Sequence, residues 1–131
     1  MSEAEAARFI SETLRDLSRR ENVRAPKWEW KDILGLVAYR KEDRVIELRE
    51  YLVVNAWGTD KERTKRYLSH ILAHEFWHHL VELGKIPRAS PFASEYEADE
   101  YASSFSGLTK TENRVLKRRP LTPDFVAEWV K

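Results

Sequence analysis

The sequence predicts a single α+β domain in which a small antiparallel sheet of about three strands packs against three main helices. Two observations carry this prediction. Apolar residues recur with helical periodicity in three long segments, and short runs rich in β-branched residues lie between the first two. A length of 131 residues suits one small core. We expect residues 1–108 to form this domain and residues 109–131 to form a C-terminal tail.

Each of the three helices has its own signal. Residues 2–20 carry apolar side chains on one face, which is typical of an amphipathic helix. Residues 60–83 become apolar nearly all round in their later part, which indicates a helix buried on most sides. Residues 89–107 begin with Ser90 as a helix cap and close at Gly107.

The sheet is predicted from the segment between the first two helices. Trp28 and Trp30 alternate with charged residues, as on a half-buried strand. Residues 34–39 and 44–49 are apolar and β-branched, and the tight turn between them predicts a hairpin. Residues 51–57 fit either a third strand or a bridging segment.

Composition and charge exclude several classes of protein. The net charge of +1 gives no electrostatic footprint for nucleic acid or for a membrane surface. No apolar run approaches the roughly 20 residues that span a bilayer, and the first residues lack the apolar segment of a signal peptide. We therefore expect a soluble cytoplasmic protein with no membrane span and no nucleic-acid partner.

Cysteine is absent, which excludes disulfides and thiolate metal ligands. High charge with few thermolabile residues favours a thermophilic source.

All four histidines lie in the stretch LSHILAHEFWHHLVELG, residues 68–84, and two of them frame a glutamate as His74-Glu75-x-x-His78. Histidines four residues apart lie on one helix face, about 6 Å from each other, so both can bind one zinc ion. Glu75 is the expected general base, which takes a proton from metal-bound water and passes it to a leaving amine. The alternative is a buried helix whose polar side chains are satisfied by protein neighbours.

A catalytic zinc site requires a third protein ligand and an open position for water. No histidine follows His79, so a carboxylate is expected to complete the site. His70 and His79 point away from the motif's face, and we expect both to be structural or exposed to solvent. The third helix carries four carboxylates. At 100° per residue, Glu95 and Asp99 fall in its apolar face, while the other two face away.

The residues therefore predict one zinc ion per chain, held between the second and third helices. His74, His78 and Glu95 are the predicted ligands. Asp99 is expected to accept a hydrogen bond from the free ring nitrogen of a ligand histidine, most simply His74, and so to orient that ring. A peptide or protein is the expected substrate, and an edge strand of the sheet, residues 44–49, is expected to pair with it.

These motifs resemble those of the gluzincin zinc metallopeptidases. Residues 74–78 read HEFWH and residues 95–99 read EYEAD. In the gluzincin pattern E-x-x-A-D, the glutamate is the third zinc ligand and the aspartate supports a histidine. A small chain with this layout is similar to the minigluzincins, minimal domains similar to the catalytic domains of membrane CAAX-type prenyl proteases. The resemblance covers roughly residues 30–107 and implies a zinc-dependent endopeptidase.

The resemblance also implies a latent enzyme. In that family the C-terminal segment blocks the cleft. Residues 109–131 here, with two prolines and two large aromatic residues, suit an inhibitor of their own chain or, by swapping, of a second copy. One feature departs from the membrane relatives, whose further downstream histidine stabilises the oxyanion. This chain lacks that histidine, and the candidates to replace it are Tyr96, Tyr101 and Arg114.

Two other functions fit the same residues. One is a regulatory protease that cleaves a repressor, a class with a similar second motif. The other is a non-catalytic interaction domain stabilised by zinc, which would bind the metal and unfold with a chelator but show no turnover. The missing downstream histidine is the feature that favours the second alternative.

Overall fold

A computed structural model describes residues 2–87 and 91–108, with the side chains of residues 91–94 left undescribed. The predicted cap Ser90, the oxyanion candidate Arg114 and the predicted tail, residues 109–131, lie outside the described residues. Four helices and three strands occupy the described part of the chain, which confirms the α+β class. In chain order they are α1 (Ser2–Glu21), β1 (Lys27–Trp30), β2 (Val37–Arg40), β3 (Val45–Leu48), α2 (Glu50–Thr59), α3 (Lys61–Glu82) and α4 (Pro91–Ser106).

The strands form one mixed sheet in the order β1-β3-β2. β2 and β3 are the predicted hairpin and run antiparallel. β1 pairs with β3 in parallel, so the prediction of an all-antiparallel sheet is wrong. The reason is that the hairpin places its second strand, and not its first, beside β1.

The position of β3 also corrects the predicted substrate strand. All four residues of β3 are buried, which is typical of a strand with neighbours on both sides. Residues 44–49 therefore lie in the centre of the sheet, where both sets of backbone groups are already paired, and they cannot accept a further strand. The edge strands are β1 and β2.

Residues 51–57 belong to helix α2 and are neither a strand nor a bridging segment. Leu52, Val53, Ala56 and Trp57 are its buried residues, and this spacing marks one face of a helix. The sequence did not separate the alternatives because a short apolar run without a clear period fits a strand and a buried helix equally well. Three main helices were expected, and α2 is the additional helix that brings the described total to four.

Helix α3 passes through the middle of the domain. It begins at the cap Asp60, whose side chain accepts a hydrogen bond of 3.1 Å from the backbone nitrogen of Arg63. It ends at Glu82, and two residues later Gly84 takes a φ of 77°, a conformation that favours glycine, and turns the chain away from the helix. Leu72 and Phe76 on α3 are fully buried. The apolar face of α1 covers the same core with Ile10, Leu14 and Leu17.

Helix α4 packs along α3 in the opposite direction. Ala98 and Ala102 on its inner face are both 0% exposed, and such short side chains let the two helix axes approach closely. None of the described helices is long and apolar enough to cross a membrane.

Candidate metal centre

The two motifs meet where α3 packs on α4, and hydrogen bonds fix the end of the pair formed by the first half of α3 and the last residues of α4. Arg66 on α3 donates a hydrogen bond of 2.9 Å to the carbonyl oxygen of Gly107, just after α4. One turn further along α3, Nδ1 of His70 lies 3.1 Å from the hydroxyl of Ser106. The next turns of α3, which carry the H-E-x-x-H motif, are therefore brought opposite the first half of α4.

Glu95 on α4 lies between the two histidines of the motif. Its Oε2 is 3.0 Å from Nε2 of His74, and its Oε1 is 3.1 Å from Nε2 of His78. One ligand atom from each of the three residues lies within 4.8 Å of the others. The three predicted metal ligands are thus brought together, two from one helix and one from the next.

This donor set fits a divalent metal ion such as zinc. Two imidazole nitrogens and one carboxylate form a set of ligands found in catalytic zinc sites. In a tetrahedral site with bonds of about 2.0–2.1 Å, ligand atoms stand about 3.3 Å apart, close to the two nitrogen–oxygen distances observed here. The Glu95 side chain is 60% exposed, so the group opens to solvent and leaves room for a fourth ligand.

Asp99 lies one turn after Glu95 and contacts the other side of the His74 ring. Nδ1 of His74 donates a hydrogen bond of 2.9 Å to Oδ1 of Asp99. Nε2, on the opposite side of the ring, faces Glu95 and is the atom that a metal ion would bind in place of a proton. The hydrogen bond predicted between His74 and Asp99 is therefore present.

The charges around His74 and His78 separate the pKa values of the two rings. Burial alone would lower the pKa of His74, but its hydrogen bonds to Asp99 and Glu95 raise the pKa to about 10. Burial and the charge of His74 lower the pKa of His78. In the metal-free protein, His74 is therefore protonated and pairs with the carboxylates of Asp99 and Glu95, while His78 is neutral.

Glu75 lies directly after His74 and is only partly exposed. Burial raises the pKa of its carboxyl to about 7, the charge of His74 opposes the shift, and the carboxylates of Glu95 and Asp99 reinforce it. A carboxyl with a pKa near neutrality can take up and release a proton at little cost. The position and environment of Glu75 suit the predicted general base.

The remaining two histidines serve the packing of α3. His70 is 3% exposed and bonded to Ser106, and His79 is 4% exposed with Nδ1 2.9 Å from the hydroxyl of Tyr39. The predicted structural role thus agrees with their surroundings. The contact between Tyr39 and His79 was not foreseen, because no local pattern shows which side chain of a strand will reach a distant helix.

The two tyrosines among the predicted oxyanion candidates each have a hydrogen-bond partner. The hydroxyl of Tyr101 donates a hydrogen bond of 2.8 Å to Glu21 at the end of α1. Tyr96 is 57% exposed, and a hydrogen bond to Glu100 raises the pKa of its hydroxyl. The hydrogen bond of Tyr101 thus runs to α1, and that of Tyr96 runs along α4 to Glu100.

No protein-family model matches the chain. A search of curated proteins and a search of solved structures likewise return no match.

Proposed function

We propose that the chain is a zinc-dependent metallopeptidase in which His74, His78 and Glu95 hold the ion and Glu75 is the general base. One observation carries the proposal: two histidines, a glutamate and an orienting aspartate come together from two motifs on separate helices, with a partly buried glutamate beside them. Zinc bound there would polarise a substrate carbonyl and lower the pKa of a water molecule.

The chain's own residues account for the proton transfers of peptide hydrolysis. Glu75 accepts the proton that the attacking water gives up as its oxygen bonds to the carbonyl carbon. The same carboxyl donates that proton to the nitrogen as the carbon–nitrogen bond breaks. Asp99 keeps the His74 ring in one tautomer and orientation throughout.

An edge strand is available for an extended peptide. Among the described residues β2 pairs only with β3, and its Tyr39 contacts His79 on α3. A peptide added along β2 as a further strand would extend the sheet that packs on α3, the helix of the two candidate histidine ligands. We therefore propose β2 as the substrate-binding strand in place of residues 44–49.

The test compares Glu75→Gln with wild type for zinc content and for cleavage of unstructured peptides. We expect the variant to keep its zinc and to lose cleavage by a factor of about 100 or more, because the proton acceptor is gone. Glu97→Gln, an exposed change on α4, is the matched control and should behave as wild type. Cleavage retained by Glu75→Gln would rule out the mechanism.

Latency is the second part of the proposal. We propose that residues 109–131 restrain the enzyme, either within one chain or between two copies. The experiment is truncation after residue 108, which keeps every described core residue. Higher peptidase activity of the truncated protein would support latency. Zinc binding without cleavage in both forms would favour the non-catalytic, zinc-stabilised interaction domain.

A further inference from the structure

The end of helix α1 is joined to helix α4 by a group of polar contacts. The hydroxyl of Tyr101 on α4 donates a hydrogen bond of 2.8 Å to Oε2 of Glu21, the last residue of α1. Arg20 lies beside the same tyrosine, with its guanidinium carbon 5.3 Å from the centre of the Tyr101 ring. Nη2 of Arg20 also donates a hydrogen bond of 3.4 Å to the hydroxyl of Ser104 on α4.

Both partners of the bond between Tyr101 and Glu21 have restricted positions. The end of α1 is closed by a hydrogen bond of 3.0 Å from the backbone nitrogen of Val23 to the carbonyl oxygen of Ser18. Nε of Arg20 lies 3.5 Å from the same Oε2 of Glu21 that accepts the bond. The Tyr101 ring is partly buried and packs against the hydrophobic core. The bond therefore ties α4 to a fixed point on α1.

Tyr101 holds α4 from a side other than the one that carries the metal ligand. At 100° per residue, Tyr101 lies about 120° round the helix from Glu95 and about 160° from Asp99. The inner face of α4 carries Ala98 and Ala102, whose single methyl groups allow close approach to α3 but resist rotation of α4 only weakly. The hydrogen bond to α1 resists that rotation.

Rotation of α4 about its axis would disturb the metal centre. The end of a side chain about 6 Å from the axis moves by about 1.5 Å when the helix turns by about 15°, whereas metal–ligand distances hold to about 0.2 Å. Glu95 has to keep its oxygens 3.0 Å and 3.1 Å from Nε2 of His74 and His78. Asp99 has to keep its 2.9 Å bond to the His74 ring.

We propose that Tyr101 is a positioning residue for the metal centre, whose hydrogen bond to Glu21 sets the rotation of α4 and with it the places of Glu95 and Asp99. The inference rests on the metal site of the proposed function and adds a contribution from α1, which precedes the segment covered by the motifs. This role differs from the oxyanion role considered for Tyr101, because the hydroxyl donates its proton to Glu21.

Zinc competition with a chromophoric chelator, on the full-length protein, tests the proposal. We expect Tyr101→Phe, which keeps the ring and loses the hydroxyl, to bind zinc about three- to tenfold more weakly, the range of effect that one hydrogen bond can have. Glu21→Ala should have the same effect and supplies the result if Tyr101→Phe does not fold. The double variant should be no weaker than either single variant, because both remove one bond. Glu21→Gln keeps an acceptor oxygen and should bind zinc as wild type does.

Two controls separate positioning from a general loss of stability. Tyr51→Phe removes the hydroxyl of an exposed tyrosine and should leave zinc affinity unchanged. Ile10→Val removes a methyl group from the buried face of α1, which lowers the free energy of unfolding without touching the bond to α4. Urea unfolding measures that loss, and the zinc affinity of Ile10→Val without urea should equal that of wild type.

Three results would overturn the inference: wild-type zinc affinity in Tyr101→Phe, additive losses in the double variant, or a loss in Ile10→Val as large as that in Tyr101→Phe. Equal zinc affinities of wild type and Tyr101→Phe, together with peptide cleavage, would reject this inference alone. Weaker zinc binding by Tyr101→Phe, without cleavage by any form of the protein, would reject the peptidase proposal alone. A wild type that binds no zinc would reject both.

Discussion

The Nδ1 atom of His74 and the Oδ1 atom of Asp99 lie 2.9 Å apart across the contact between α3 and α4. The two residues are on different helices, and the bond joins the H-E-x-x-H motif to the second motif. It fixes which ring nitrogen of His74 carries the proton, and it leaves Nε2 facing Glu95. The pair thus presents Nε2 of His74 to the other two residues of the candidate metal site.

Removal of the orienting carboxylate should weaken metal binding without abolishing it. We expect Asp99→Ala to lower zinc affinity by about 10–100-fold, the range found when such orienting groups are lost. Competition with a chromophoric chelator measures the change. Glu97→Ala on the exposed side of α4 is the control. Equal affinities for wild type and Asp99→Ala would show that the hydrogen bond does not tune the ligand.

Loss of the third ligand should have a larger effect. Wild type purified without added metal is expected to contain about one zinc per chain, because three protein donors converge on one point. Glu95→Ala leaves only the two histidines, and we expect it to lose the zinc on dialysis. Elemental analysis of both proteins checks this. Zinc retained by the variant would mean that another residue is the third ligand.

Zinc affinity should rise with pH. In the metal-free protein, hydrogen bonds to Asp99 and Glu95 overcome burial and raise the pKa of His74 to about 10, so below that pH the ring holds a proton that zinc must displace. The lowered pKa of His78 leaves that ring neutral near pH 7, so it adds no further slope there. One displaced proton predicts about a tenfold gain in affinity per pH unit between pH of about 7 and 8.

Calorimetry in two buffers of different ionisation enthalpy counts the released proton directly. Asp99→Asn removes a carboxylate that raises the pKa of His74, so its pH dependence should be shallower than that of wild type. A zinc affinity that does not change with pH would contradict the assigned protonation of His74.

The positions of the candidate ligands could be predicted from the sequence because each depends on the regular geometry of a single helix. Histidines four residues apart must share a face, and the 100° step along α4 separates Glu95 and Asp99 from the carboxylates that face outward. The grouping of His74, His78 and Glu95 is accordingly the arrangement that the sequence predicts.

Other features depend on contacts between distant segments, and no local pattern reports them. Residues 51–57 have the same short apolar run whether they form a strand or a buried helix, and α2 forms because its apolar face completes the core. The parallel pairing of β1 depends on which hairpin strand lies beside it. The place of Tyr39 beside α3 depends in turn on that sheet order.

The small residues of α4 should be needed for the spacing of the metal ligands. Ala98 is 0% exposed where α4 packs on α3, one residue before Asp99. We expect Ala98→Leu to force the helices apart, to lower the free energy of unfolding by about 1–3 kcal/mol and to weaken zinc binding. Urea unfolding and zinc competition measure the two effects. Ala4→Leu, at an exposed position of α1, should change neither. If Ala98→Leu were destabilised but bound zinc as tightly as wild type, the packing at Ala98 would not set the geometry of the metal site.

The hydroxyl of Tyr39 should stabilise the domain at neutral pH and cease to do so at high pH. Tyr39→Phe leaves Nδ1 of the buried His79 without its 2.9 Å partner, and we expect a loss of about 1–2 kcal/mol in the free energy of unfolding.

Burial and the charge of Glu82, opposed by Arg44, raise the pKa of Tyr39 from 10.0 to about 12. A folded-state pKa above the unfolded value means that this stability is present below pH 10 and is lost as the pH rises towards 12. Urea unfolding across this range should therefore show wild type converging on Tyr39→Phe, while Tyr51→Phe, at an exposed position, tracks wild type throughout. A constant gap between wild type and Tyr39→Phe across the range would show that ionisation of this hydroxyl is not linked to folding.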